Sequence, residues 1–384
     1  MVYYTNRMKP TTIVVNTRML LKDRLDGTGW FAYQTLKRIT QAHPEVKFIF
    51  LFDRKFSKEF IFSNNITPMV VWPPTRHAFL YYLWFQISVK LLLNKLKPDL
   101  FLSPDGLLSL GAPCKQLAVI HDINFKHYPQ DLQFWTGKFF NHYFPKYAKA
   151  ATRIAAVSQY TKQDLIKEYH TDPAKIDIVY NAADERFVPI TEEVKQQTRQ
   201  RFAQGNDYFI FVGSISPRKN IARLLEAFGL FKKESRSKIK IIIVGAIFWS
   251  KAEVDKTLNK MEFKNDVIFT GRVGNSELRL LMASAFCLTY VPYFEGFGVP
   301  LVEAMRSEIP IISANVTSLP EIAGDAALYV DPFKVEEIKN AMLKIISDSA
   351  LRHELVEKGK IQSQKFSWDK SALQLWQCIE KALA

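Results

Sequence analysis

The sequence predicts two doubly wound α/β domains with a crevice between them. Three observations carry this. Short β-branched runs alternate with longer helical patterns from end to end, as in sheets layered by helices. The runs are continuously apolar, and such strands are buried on both faces, as parallel strands are. At 384 residues the chain is also longer than one ordinary core requires.

In the first half the runs are TTIVVN (11–16), VKFIFLF (46–52), PMVV (68–71), DLFL (99–102), QLAVIH (116–121), RIAAV (153–157) and IDIVY (176–180). In the second they are YFIFVG (208–213), KIIIVG (240–245), VIFTG (267–271), FCLTYV (286–291), PIIS (310–313) and ALYV (327–330). The polar stretch 191–207 between the two sets reads as a helix and a loop. This gives an N-terminal domain over 1–188 and a second over 189–367, with a boundary near Pro189. An amphipathic helix over 368–384 closes the chain and is expected to pack back on the N-terminal domain.

Hydrophobic residues make up 48% and charged residues 23%, which excludes extended disorder. The net charge of +14 points to an anionic partner: phosphate groups, nucleic acid or an acidic membrane surface. The excess is spread along the chain without an arginine-rich block or zinc-finger spacing, so nucleic acid is not expected. Cys114, Cys287 and Cys378 fit reduced cysteines in a cytoplasmic protein. The first residues lack the build of a signal peptide. The most apolar stretch, 78–93, is interrupted by Gln86, Ser88 and Lys90 and is shorter than the ~20 residues of a spanning helix. It reads as a buried helix or, with Lys90, Lys95 and Lys97 nearby, as an interfacial one that would place the protein peripherally on a membrane.

Ligands of open α/β sheets bind beyond the carboxyl ends of the strands, and that rule yields candidates in both halves. QLAVIH ends at His121, followed by Asp122; Asp122 offers the imidazole an orienting partner, and a satisfied core histidine is the alternative. YFIFVG ends at Gly213 and leads through Ser214 into SPRKN, which delivers Arg218 and Lys219. There Pro217 stiffens the turn, Asn220 can cap the following helix, and two adjacent cations suit a diphosphate. TTIVVN leads to DGTG, with Gly27 and Gly29, although Ala32 stands where a dinucleotide fingerprint needs its third glycine. FCLTYVPYF ends at Glu295, and EGFGVPLVE follows. Gly296 and Gly298 permit close backbone approach, and Pro300 suits a first helical turn. The amides of Phe297 to Leu301, Val299 included, would then face a ligand. Glu303 falls in that first turn, where the helix dipole alone would favour a carboxylate.

At these residues the chain resembles retaining glycosyltransferases of the GT-B fold, family 4 (glycosyl transferases group 1), in its mannosyltransferase-like branch. The resemblance rests on Glu295-GFGVPLV-Glu303, an E-x7-E pattern, and on FVGSISPRKNIARLLEAF, VIHDINFKHYP, AAVSQYTKQDL, IVYNAADERF, SANVTSLPEIAGDAALYVDP and FSWDKSA. It implies two Rossmann-like domains facing an interdomain cleft, with the acceptor on the N-terminal side. It also implies roles. Arg218 and Lys219 would bind the donor diphosphate. Glu303 would take the ribose hydroxyls, and Glu295 the donor sugar with the amides of Gly296 to Gly298. His121 would lie near the transferred sugar, and the Gly27–Gly29 loop would border donor and acceptor. Ser214 stands where the family often has an arginine, and Arg218 substitutes for it.

The reaction so implied needs neither cofactor nor metal: a nucleotide-diphosphate sugar is co-substrate, and the acceptor is a surface-polysaccharide or lipid-linked glycan. A nucleotide-sugar 2-epimerase or a non-catalytic sugar-nucleotide-binding protein would share the architecture.

Overall fold

The computed structural model describes residues 10–75, 77–246 and 252–384. They divide into two compact units: the chain up to Asn181 together with Trp368–Ala384, and Ala182–Ser367.

In the first unit the strands are β1 (Thr12–Asn16), β2 (Lys47–Phe52), β3 (Ile66–Val70), β4 (Leu100–Ser103), β5 (Lys115–Ile120), β6 (Arg153–Ala156) and β7 (Ile176–Ile178). They form one sheet in the order β3-β2-β1-β4-β5-β6-β7, and every pairing is parallel. In the second, β8 (Tyr208–Val212), β9 (Lys240–Val244), β10 (Val267–Gly271), β11 (Cys287–Tyr290), β12 (Ile311–Ala314) and β13 (Leu328–Val330) are ordered β10-β9-β8-β11-β12-β13. These pairings are parallel too. Each apolar run named from the sequence became a strand.

Double burial explains the pattern. Val14 lies opposite Ile49 on one side and Phe101 on the other, and all three are buried beneath Trp84, Phe85 and Phe144. In each sheet the strand order reverses once, between β1 and β4 and between β8 and β11. At such a switch point the connections leave in opposite directions and open a crevice at the carboxyl ends of the strands.

The division at Asn181 lies ahead of the boundary expected near Pro189. The intervening segment is tied to the second unit: Ala182, Ala183 and Phe187 are buried, and the carbonyls of Glu185 and Arg186 accept from Arg306 and Arg279. A polar stretch marks where a chain is solvated, not which core its flanks join.

Helix Trp368–Leu383 buries Trp368, Ala372, Leu375, Cys378, Ile379 and Ala382, one stripe at helical spacing. That stripe meets helix Gly27–Ala42 of the first unit, with Phe31 edge-on to Trp368 and His43 stacked on Trp376 at 3.5 Å. Ser371 donates to the Tyr180 carbonyl at 2.6 Å. The three cysteines are free thiols. Among the described residues no helix is long and apolar enough to cross a membrane.

Candidate active site

The second unit gathers its candidates at its switch point. β8 delivers Gly213, Ser214 and the turn Pro217–Lys219, and β11 delivers Tyr290 and, five residues on, Glu295. The Glu295 side chain is only 9% exposed, as is that of Lys219. One carboxylate oxygen, Oε1, accepts from Arg218 Nη1 at 2.9 Å, from the Tyr290 hydroxyl at 3.0 Å and from Lys219 Nζ. Lys219 Nζ also donates to the Tyr290 hydroxyl at 2.7 Å. Burial by itself would raise the Glu295 pKa, but Arg218 and Lys219 with their hydrogen bonds hold it down at about 2. Burial, then the adjoining Glu295, push the Tyr290 phenol well above its ordinary range. It therefore stays neutral, accepting from the lysine while donating to the carboxylate.

The backbone around Glu295 is fixed from the loop after β12. Its amide donates to Thr317 Oγ1 at 3.3 Å, and its carbonyl accepts from Ser318 Oγ at 3.0 Å. Thr317 has φ of +57°, a left-handed conformation that a β-branched residue adopts at a cost and that clusters at functional sites. Gly298 has φ of +92°, and a Cβ there would stand 2.7 Å from Leu319 Cδ2. Only glycine turns the chain into helix Val299–Arg306 at this point.

The expected row of amides is shorter than predicted. Pro300 has no N–H, and the Leu301 amide donates to the Gly298 carbonyl at 3.0 Å. Val299 and Gly298 remain at the helix start, preceded by Phe297, whose ring meets Phe366 edge-on, and Gly296. Asn220 also differs from expectation. Its side chain makes no capping hydrogen bond; instead Nδ2 donates to the carbonyls of Val291 at 2.9 Å and Pro332 at 2.7 Å, which locks the Arg218–Lys219 turn to the end of β11.

Glu303 is not among the hydrogen-bond partners of this cluster, although its charge reaches Tyr290. It is half-buried in helix Val299–Arg306, and burial, then the charge of Asp184, raise its pKa to about 8. A carboxyl held near neutrality in this way is a feature of functional sites.

In the first unit His121 follows β5 and is held between Phe31, edge-on at 5.3 Å, and the Pro104 carbonyl. Because a carbonyl only accepts, Nε2 carries the proton at 2.9 Å from that oxygen and Nδ1 keeps its lone pair. Burial lowers the His121 pKa, which keeps the ring neutral. The partner expected for it, Asp122, is otherwise engaged: its carboxylate accepts from the Asn124 amide at 3.0 Å. Gly27 and Gly29 lie in the first turn of helix Gly27–Ala42, not in a loop, and Asp26 caps that turn by accepting from Gly29 N at 2.8 Å.

Sequence reasoning missed several groups. Tyr290, Thr317 and Ser318 were not singled out, although a tyrosine closing an apolar strand is a signal, since its buried hydroxyl needs a partner. At the first unit's switch point, Asn16 and Ser103 both donate to Asp105, which pairs with Arg18 at 2.6 Å. Asn16 closes an apolar strand in the same manner. Metal-ligand spacing occurs at His127, Asp164 and Glu168, but His127 Nε2 lies 2.8 Å from the Asp164 carboxylate and Lys126 lies 3.9 Å from Glu168. A basic concavity of about 630 Å³ at the opposite, amino-terminal end of β9 spends its central lysines internally, Lys232 on Asp266 and Lys240 on Gln204.

Two family models cover these units. That for glycosyl transferases group 1 matches residues 193–362, and that for glycosyltransferase family 4 matches residues 25–187. With both parallel-sheet domains of the GT-B architecture in place, the chain belongs to this glycosyltransferase family. Among its relatives, the O-antigen chain mannosyltransferase B of Escherichia coli is 29% identical over 226 residues, 59% of this chain and 59% of that protein. The O-antigen chain mannosyltransferase RfbU of Salmonella typhimurium is 27% identical over 230 residues, 60% of each. The matched region thus spans less than two thirds of these relatives. The crystal structure of HepE from Anabaena with UDP and glucose superposes with a TM-score of 0.77 at 16% identity, covering 96% of this chain and 99% of that one, a likeness of fold.

Proposed function

We propose that the protein transfers a hexose, with mannose the leading candidate, from a nucleotide-diphosphate sugar to a surface-polysaccharide or lipid-linked glycan, with retention of configuration and without a metal. The observation that carries this reading is the convergence of Arg218 and Lys219 on one buried carboxylate at a switch point. Fixed cations there suit the negative charge that develops on a departing diphosphate. Glu295 accepts from both cations; a donor diphosphate competes for the same donors and turns Glu295 toward the sugar. Glu303, half-buried in the helix that Gly298 opens, suits the ribose hydroxyls. Gly213 and Ser214, with the Gly296–Val299 backbone, line the phosphates. His121 serves as a neutral hydrogen-bonding group toward the sugar. The mannosyltransferase relatives favour mannose, and an acceptor held on lipid favours contact with a membrane surface.

In the step itself the anomeric carbon–oxygen bond to the diphosphate breaks and the acceptor oxygen bonds to the same face of the carbon. The acceptor's proton passes to the leaving phosphate oxygen. Glu295, fully ionised, stabilises the cationic sugar and is not required as a nucleophile, unlike the paired carboxylates of retaining hydrolases.

The test is product analysis with GDP- and UDP-sugars plus acceptor. Transfer with retained anomeric configuration, undiminished by a chelator, is expected. An inverted product or full loss with chelator contradicts the mechanism. An epimerised sugar from donor alone identifies the isomerase instead.

A further inference from the structure

The segment Ala78–Leu96 continues from an α-helix through a π-helical stretch, Leu83–Val89, into a second α-helix, and its polarity is inverted. Its polar residue Gln86 points inward, donating to the Leu108 carbonyl and the Tyr147 hydroxyl and accepting from the Leu110 amide. Up to Leu91 its exposed residues are apolar: Phe79 is 68% exposed and Leu91 65%, with Tyr82 and Ile87 exposed between them, and the exposed Asn94 and Lys95 follow in its last turn. The intervals run three, five and four. The step of five falls across the π-helical stretch, whose i→i+5 turn keeps Ile87 on the face that Phe79 and Tyr82 begin. Uniform α-helix would carry it round the side.

Beside this segment lies helix Phe134–Ala150. Its outward residues are Phe134, Trp135, Lys138, His142, Lys146 and Lys149, and Lys138 sits 4.3 Å from the Phe134 ring centre. Tyr82 and Tyr143 join the two faces at 6.2 Å. Neither stretch carries a counter-charge: residues 60–98 and 132–163 contain no Asp or Glu, although the whole chain has 38.

We propose that these two outward faces form a docking surface for an anionic phospholipid bilayer, an inference that rests on the reading of a lipid-held acceptor. Exposed aromatic and aliphatic side chains flanked by lysines match the acyl boundary and the phosphate layer together. Lysine stems add apolar length while their ammonium groups stay in water. A second copy of the same face would set lysine against lysine, which disfavours self-association.

The experiment is flotation of the full chain, with donor absent, on phosphatidylcholine vesicles and on vesicles containing about one third phosphatidylglycerol. The chain is expected to float with the anionic vesicles alone and to release at high salt. Phe79→Ser with Leu91→Ser should reduce binding at least tenfold, and so should Lys146→Glu with Lys149→Glu. All four positions are exposed, so an unchanged thermal midpoint verifies folding. Equal flotation on neutral vesicles, no flotation on either, wild-type binding by both double variants, or a stable dimer in sedimentation would each overturn the proposal. Persistent vesicle binding by a chain that transfers no sugar would instead count against the proposed reaction alone.

Discussion

Glu295 and Glu303 are eight residues apart, and burial acts on both, yet their acidities diverge. Arg218 and Lys219 hold Glu295 ionised, whereas burial and the like charge of Asp184 raise Glu303. The consequence for stability has a definite sign. Between about pH 4.5 and 8 the folded chain keeps a proton on Glu303 that the unfolded chain has lost, so stability falls as pH rises through that window. Glu303→Gln removes the penalty. Its thermal midpoint should match wild type near pH 4.5 and exceed it increasingly up to about pH 8, then hold a constant lead; a difference that stays flat with pH contradicts the assignment. The glutamates themselves were legible in the sequence from their positions beside a strand end and a glycine turn. Their opposite protonation was not, because it depends on Tyr290 and Asp184, which only folding brings alongside. Asn220 shows the same limit: its place before a helix predicts a cap, while tertiary partners at Val291 and Pro332 take its amide.

At the scale of elements, apolar runs such as KFIFLF and KIIIV declare doubly buried strands without help from context. Parallel strands are where sequence pattern is strongest, since both faces must be apolar. Helix starts are less legible. DGTG reads as a loop because two glycines weaken helical propensity, and the Asp26 cap with the tight approach of Gly29 to the Met19 carbonyl reverses that. The closing helix was legible from its stripe, and its fit gives a test. Leu375 is fully buried there, so Leu375→Ala should destabilise the chain by about 2–5 kcal/mol, read as a lower denaturant midpoint. An unchanged midpoint would mean that the helix does not belong to the first unit's cooperative core.

For the whole molecule, one sheet plan occurs twice, and each copy sets polar residues at its reversal: Asn16, Arg18 and Asp105 in the first unit, Arg218, Lys219 and Glu295 in the second. The net charge of +14 announces anionic partners without locating them. Part of it stands as Arg218 and the buried Lys219 at one strand end, and part as lysines on stretches without Asp or Glu, two environments that composition cannot distinguish. The central claim is that Arg218 and Lys219 receive the diphosphate of the donor. Calorimetric titration of a nucleoside diphosphate, GDP and UDP in turn, into wild type and Lys219→Ala tests it most directly. A loss of affinity of at least about tenfold in the variant, as expected for removing a charge-assisted contact worth about 1.5–3 kcal/mol, is the predicted result; equal affinity in the two proteins would contradict it.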